Sequence, residues 1–72
     1  MRINYNRGNA YFDTYYVYDE EGHQIGILED HCRGVKEEYF VGWRKKENSD
    51  SWETKSPIDT KEETLKYIAK EI

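Results

Sequence analysis

One cysteine, one proline and one methionine stand among the 72 residues, and apolar residues make up only 36% of them. Each scarcity excludes something. Cys32 has no second cysteine to pair with, so an internal disulfide is ruled out and an inert thiol in a reducing compartment is expected. No apolar run approaches the roughly 18–20 residues that cross a bilayer. The opening Met1-Arg2-Ile3-Asn4-Tyr5-Asn6 lacks the apolar stretch of a secretion signal, so a cytoplasmic protein is expected. Gly22, Gly26, Gly34 and Gly42 are isolated, which leaves no loop to cradle a phosphate. His23, His31 and Cys32 are the only soft ligands, and their spacing fits no zinc pattern. Cys32 also lacks the orienting third group that a Cys–His nucleophile pair needs. The carboxylates gather at turns and at a helix start, the pattern of solvated charge and capping rather than of an acid–base pair. A non-enzymatic protein without metal or cofactor is the expectation.

What the chain has is charge and rings. Eleven Lys and Arg stand against fifteen Asp and Glu, a net charge of −4. The excess lies in residues 1–30, where Arg2 and Arg7 face Asp13, Asp19, Glu20, Glu21, Glu29 and Asp30. A phosphate-binding protein usually carries a basic surplus. An acidic edge favours a basic partner surface instead. The stretch Ala10–Tyr18 contains Tyr11, Phe12, Tyr15, Tyr16 and Tyr18, more rings than one face of a strand can hide.

At this length the chain is a single domain, residues 1–72. Residues 10–18 read as a strand, Asp19-Glu20-Glu21-Gly22 as a type I turn with a glycine bulge, and residues 23–28 as the returning strand. That turn sets Val17 opposite Ile25 and Tyr15 opposite Ile27 on a core face. It leaves Phe12, Tyr16 and Tyr18 on the other face, and it places Asp13 against Glu29. Residues 30–34 connect to a third strand, Val35–Lys45. There Val35, Tyr39, Val41 and Trp43 read as core, with Phe40, Gly42 and Arg44 opposite. A polar turn over Lys45–Asp50 leads to a short strand at Ser51–Lys55, which Pro57 ends. Thr60 and Glu63 form a capping box, and Leu65, Ile68, Ala69 and Ile72 follow the helical i, i+3, i+4, i+7 spacing. The expected fold is α+β: a four-stranded antiparallel sheet of two hairpins with one C-terminal helix packed on one face, in the order β-β-β-β-α. One helix covers one face, and the other stays open to solvent or to a partner.

The open face is the candidate site. Phe12, Tyr16, Tyr18 and Phe40 are its expected anchors for a protein partner, with Asp19, Glu20 and Glu21 as a charged rim. The same surface could serve a homodimer.

Two family resemblances add to this. Arg33-Gly34-Val35, Trp43, Trp52 and the helix start Asp59-Thr60-Lys61-Glu62-Glu63 resemble the ethylene-response-factor DNA-binding domain of plants and the arm-binding domains of integrases. That likeness covers about the last 40 residues. It implies a sheet lying in the major groove, with Arg33, Lys36, Arg44, Lys45 and Lys46 as nucleic-acid-binding residues, although Glu37 and Glu38 stand where such contacts would fall. The short acidic chain, its Tyr-rich hairpin and its single helix resemble the small phage and mobile-element inhibitors of the anti-CRISPR type. That likeness implies a module that blocks or modulates a host protein complex by steric occlusion.

Overall fold

The computed structural model describes every residue except Val35, Glu47, Asn48, Ser56, Glu71 and Ile72. Along the chain come β1 (Arg2–Gly8), β2 (Asp13–Tyr18), β3 (Gln24–His31), β4 (Tyr39–Lys45), β5 (Trp52–Thr54) and α1 (Lys61–Ile68). The strands form one antiparallel sheet in sequence order. The α+β class agrees with expectation, but the sheet has five strands rather than four. The additional strand is β1. Its alternation is weak, with Ile3 and Tyr5 on one side and asparagine, a poor strand former, at positions 4 and 6. Tertiary pairing with β2 decides its conformation. A tight turn delivers it there: Asn9 Oδ1 accepts the amides of Tyr11 and Phe12 at 2.7 and 2.9 Å.

The β2–β3 turn has the expected chemistry. The Gly22 amide donates to the Asp19 carbonyl at 3.1 Å, the Asp19 amide donates to His23, and Gly22 sits at φ +89°. The register beyond the turn differs from the expected one. Tyr18 pairs with Gln24 but Val17 pairs with Gly26, so Ile25 is an extra residue in β3. One inserted residue exchanges the two faces of all that follows. Tyr15 therefore lies opposite Leu28, and Ile27 moves to the far side. The exchange carries into β4, where Phe40 and Gly42 join the core face and Tyr39, Val41 and Trp43 leave it. The expected start of this strand, Val35, lies outside the described residues, and β4 begins at Tyr39.

Helix α1 explains why this register is preferred. Ile68 comes down on Gly26 and Gly42: a Cβ built on Gly26 would lie 2.3 Å from Ile68 Cγ2, and one on Gly42 would lie 2.7 Å from Thr64 Cγ2. Two bare positions in the sheet let the helix seat closely. The expected alternative would have placed Trp43 and Tyr39 beneath it. Val17, Leu28, Phe40 and Ile68 form the buried core, with Ile3, Tyr15, Ile25, Leu65 and Tyr67 packed around them. Burying each aliphatic side chain contributes about 1.5–3 kcal/mol. The capping residue is as expected: Thr60 Oγ1 accepts the Glu63 amide at 3.2 Å. Thr64 is fully buried, and its hydroxyl is satisfied by the Thr60 carbonyl at 2.9 Å. Ile72, expected on the helix stripe, lies outside the described residues.

Candidate functional site: the open sheet face

Helix α1 packs against β3 and β4 from one side, and among the described residues no element covers the other side. Strand alternation and the pairing register assign the residues of that open face. They include Asn4 on β1, Tyr16 and Tyr18 on β2, Ile27, Glu29 and His31 on β3, Tyr39, Val41 and Trp43 on β4, and Trp52 on β5.

These side chains hold one another. The ring of Phe12, just before β2, stacks on His31 at 4.4 Å, and His31 stacks on Tyr39 at 4.6 Å. His31 Nε2 meets Glu29 Oε1 at 2.8 Å, while the other carboxylate oxygen accepts from Trp43 Nε1 at 2.9 Å. Both oxygens of Glu29 are thus engaged within this face. Tyr16, Tyr18, Tyr39, Trp43 and Trp52 are all half-buried, so each presents part of its ring to solvent. The result is a set, mostly apolar surface, which loses little side-chain freedom on binding.

Of the expected anchors, Phe12, Tyr16 and Tyr18 lie on this face. Phe40 does not. It is 7% exposed, on the helix side, and its backbone pairs with Ile58. The Ile25 bulge is the physical reason, since it reversed the faces of β3 and β4. The same bulge brings Tyr39, Val41 and Trp43 to the open face, and no pattern in the sequence marks it beforehand. Asp19 faces its own turn, accepting from Glu21 and His23 amides at 2.9 Å each. The His23 amide foremost, then desolvation in the opposite sense and the Glu21 amide, leave its carboxyl below the ordinary range. Glu20 and Glu21 are exposed beyond the strand ends.

The residues of the nucleic-acid alternative are dispersed. Arg33 forks onto Asp13 at 2.7 and 3.2 Å, a hydrogen bond that holds its guanidinium above even the usual arginine range. Arg44 lies on the helix side, donating to Glu53 at 2.9 Å and to the Tyr67 carbonyl at 3.0 Å, with its guanidinium 4.1 Å from the Tyr67 ring centre. It ties the last turn of α1 to the sheet. Lys36 is exposed in the β3–β4 connection, while Lys45 and Lys46 are exposed at the opposite end of β4. Of the five, only Lys45 reaches the open face, near the Trp52 ring.

A second cluster lies at the far end of the sheet on the helix side. Asp13 pairs with Asp30 across β2 and β3, in place of the expected Asp13–Glu29 pair. Arg33 relieves the like charge. Asp30, Cys32 and Glu38 bring possible metal-ligating atoms within 4.8 Å of one another. A side-chain hydrogen bond to Asp30, and then that acid's charge, push the Glu38 carboxyl up. Cys32 and Glu38 are both exposed, while Asp30 Oδ1 is buried. The Tyr15 phenol is pushed up by burial and by the neighbouring charges of Asp13 and Asp30.

No family model, curated protein or solved structure matches this chain. No helix of the described residues is long and apolar enough to cross a membrane.

Proposed function

We propose that this chain is a small non-enzymatic binding module that docks on a protein through its open sheet face. One observation carries the reading. The core lies between α1 and one side of the sheet, yet the other side bears a packed set of half-exposed rings that no element of the described residues covers. Tyrosine and tryptophan, amphipathic and with few rotors, are the residues that anchor protein interfaces. Phe12, Tyr16 and Tyr18 remain the anchors, joined by Tyr39, Trp43 and Trp52. The mode of action is steric occlusion of a host complex, as the likeness to small mobile-element inhibitors implies. DNA binding through the sheet has less support, because Arg33 and Arg44 are bonded within the fold and the remaining lysines lie at opposite ends.

The test is affinity capture from the native host with the intact chain, beside a Tyr16→Ala/Tyr18→Ala variant and a control changed on the exposed side of the helix, Glu62→Ala/Lys66→Ala. Captured protein should disappear with the first variant and remain with the second, both melting cooperatively. Retention by the tyrosine variant would overturn the proposal.

A further inference from the structure

The chain is acidic overall, but its open face is not. The acids of the strands gather on the helix side, where Asp13, Asp30 and Glu53 lie. The acids of the helix, Glu62 and Glu63, belong to that side too. Among the described strand residues the only carboxylate on the open face is that of Glu29, and both its oxygens are engaged by His31 and Trp43.

The cations run the other way. Arg2 pairs with Tyr18, on the open side of β2. Arg7 would fall on the helix side by simple alternation. A bulge between Tyr5 and Arg7 changes that: Arg7 pairs with Thr14, while Gly8 returns to the helix side opposite Asp13. Bulges at sheet edges re-aim side chains in this way. Lys45 completes the set on β4, opposite Trp52. Arg2, Arg7 and Lys45 are exposed, and none of them joins an ion pair among the described residues. Along β1 the two arginines are roughly 15 Å apart, and Lys45 lies about 14 Å from Arg2 across three strand spacings. Three cations therefore stand at corners of a surface whose middle is Tyr16, Tyr18, Ile27, Val41 and Trp43. Of the acids in the neighbouring turn, Asp19 is folded onto the amides of Glu21 and His23, and none of the three pairs with Arg2 among the described residues.

We propose that the open face takes an acidic protein surface, one with an apolar centre flanked by carboxylates that meet Arg2, Arg7 and Lys45. This rests on the docking role above and adds the chemistry of the partner. A second copy fits poorly. Two such faces would set the same cations against each other, and neither would bring carboxylates to meet them. A single-stranded nucleic acid fits poorly as well. It needs free ring faces and a row of cations along its backbone. Here His31 is covered on both sides by Phe12 and Tyr39, and the cations stand at corners.

The experiment is an amide-resolved titration of the isotope-labelled chain with three probes: a random Glu–Tyr copolymer, a random Lys–Tyr copolymer and single-stranded oligothymidylate. The Glu–Tyr copolymer should bind tightest, shifting amides of β2, β3 and β4. An Arg2→Glu/Arg7→Glu/Lys45→Glu variant should lose at least about tenfold in that affinity, while Lys66→Glu on the helix retains it. Equal binding of both copolymers, an unchanged charge-reversed variant, tighter binding of oligothymidylate, or no binding of the Glu–Tyr copolymer would each overturn the acidic-partner proposal. Copolymer shifts confined to α1 would instead overturn the open-face reading on which it rests.

Discussion

The seating of α1 on the sheet makes a quantitative test of the fold. In Gly42→Ala the new methyl would lie 2.7 Å from Thr64 Cγ2 and 3.2 Å from Ile68 Cγ1. Carbon atoms prefer about 3.5–4.0 Å, so the helix must give by nearly an ångström. Overpacking of this kind costs about 1–3 kcal/mol, offset by about 0.4–1 kcal/mol from the stiffer unfolded chain. A net loss of about 1.5 kcal/mol corresponds to a Tm drop on the order of 10 °C in so small a domain. Thr64→Ser removes the clashing Cγ2, keeps the hydroxyl that donates to the Thr60 carbonyl, and by itself costs about 0.8 kcal/mol of apolar burial. In the double variant the serine makes room for the alanine. The combined loss should fall short of the sum by about 1 kcal/mol, a coupling that only touching residues show. Gly26→Ala serves as contrast. Its methyl would meet the Trp43 carbonyl oxygen at 2.5 Å as well as Ile68, and no side-chain truncation relieves a backbone clash. Urea denaturation followed by tryptophan fluorescence measures all four proteins. Strict additivity of the Gly42 and Thr64 changes would refute the seating.

Two further outcomes follow from the same geometry. Phe40→Ala should cost about 3–5 kcal/mol, comparable to the whole stability of a domain this small, whereas Tyr16→Ala on the open face should leave a cooperative melt; thermal denaturation of both separates the two faces. Asp19 is held below the ordinary carboxylate range by the amides of its turn, so its contribution is present at neutral pH and is lost as pH falls through that lowered value. Tm measured against pH should accordingly fall less steeply on the acid side in Asp19→Asn than in the parent chain. Glu38, pushed up by Asp30, works in the opposite sense, favouring the fold at low pH and losing that contribution as pH rises, and so blunts the acid-side fall.

Local chemistry was legible in the sequence, and long-range register was not. Thr60 and Gly22 each act within a few residues, and both perform the roles their surroundings predict. The two faces of β2 were legible because Val17 and Tyr15 sit in a clean alternation anchored by the turn. The faces of β3 and β4 hinge on whether Ile25 is paired or bulged, and both forms keep the turn. What decides it is the seat for α1, built from Gly26, Gly42, Thr64 and Ile68 far apart in the chain. Strand β1 has no clear signal of its own for a related reason, since its hold comes from β2 rather than from its own asparagine-rich residues. Among the site residues, Phe12, Tyr16 and Tyr18 could be placed from one hairpin. Tyr39 and Trp43 needed the bulge, and Arg7 needed a second one.

The two sides of this sheet answer to different masters. A helix resting on bare backbone leaves little room for change beneath it, so the buried side is tightly constrained. The rings opposite point to the other face of the sheet. A chain organised this way can exchange its outer surface position by position, following a partner that changes, without renegotiating how it folds.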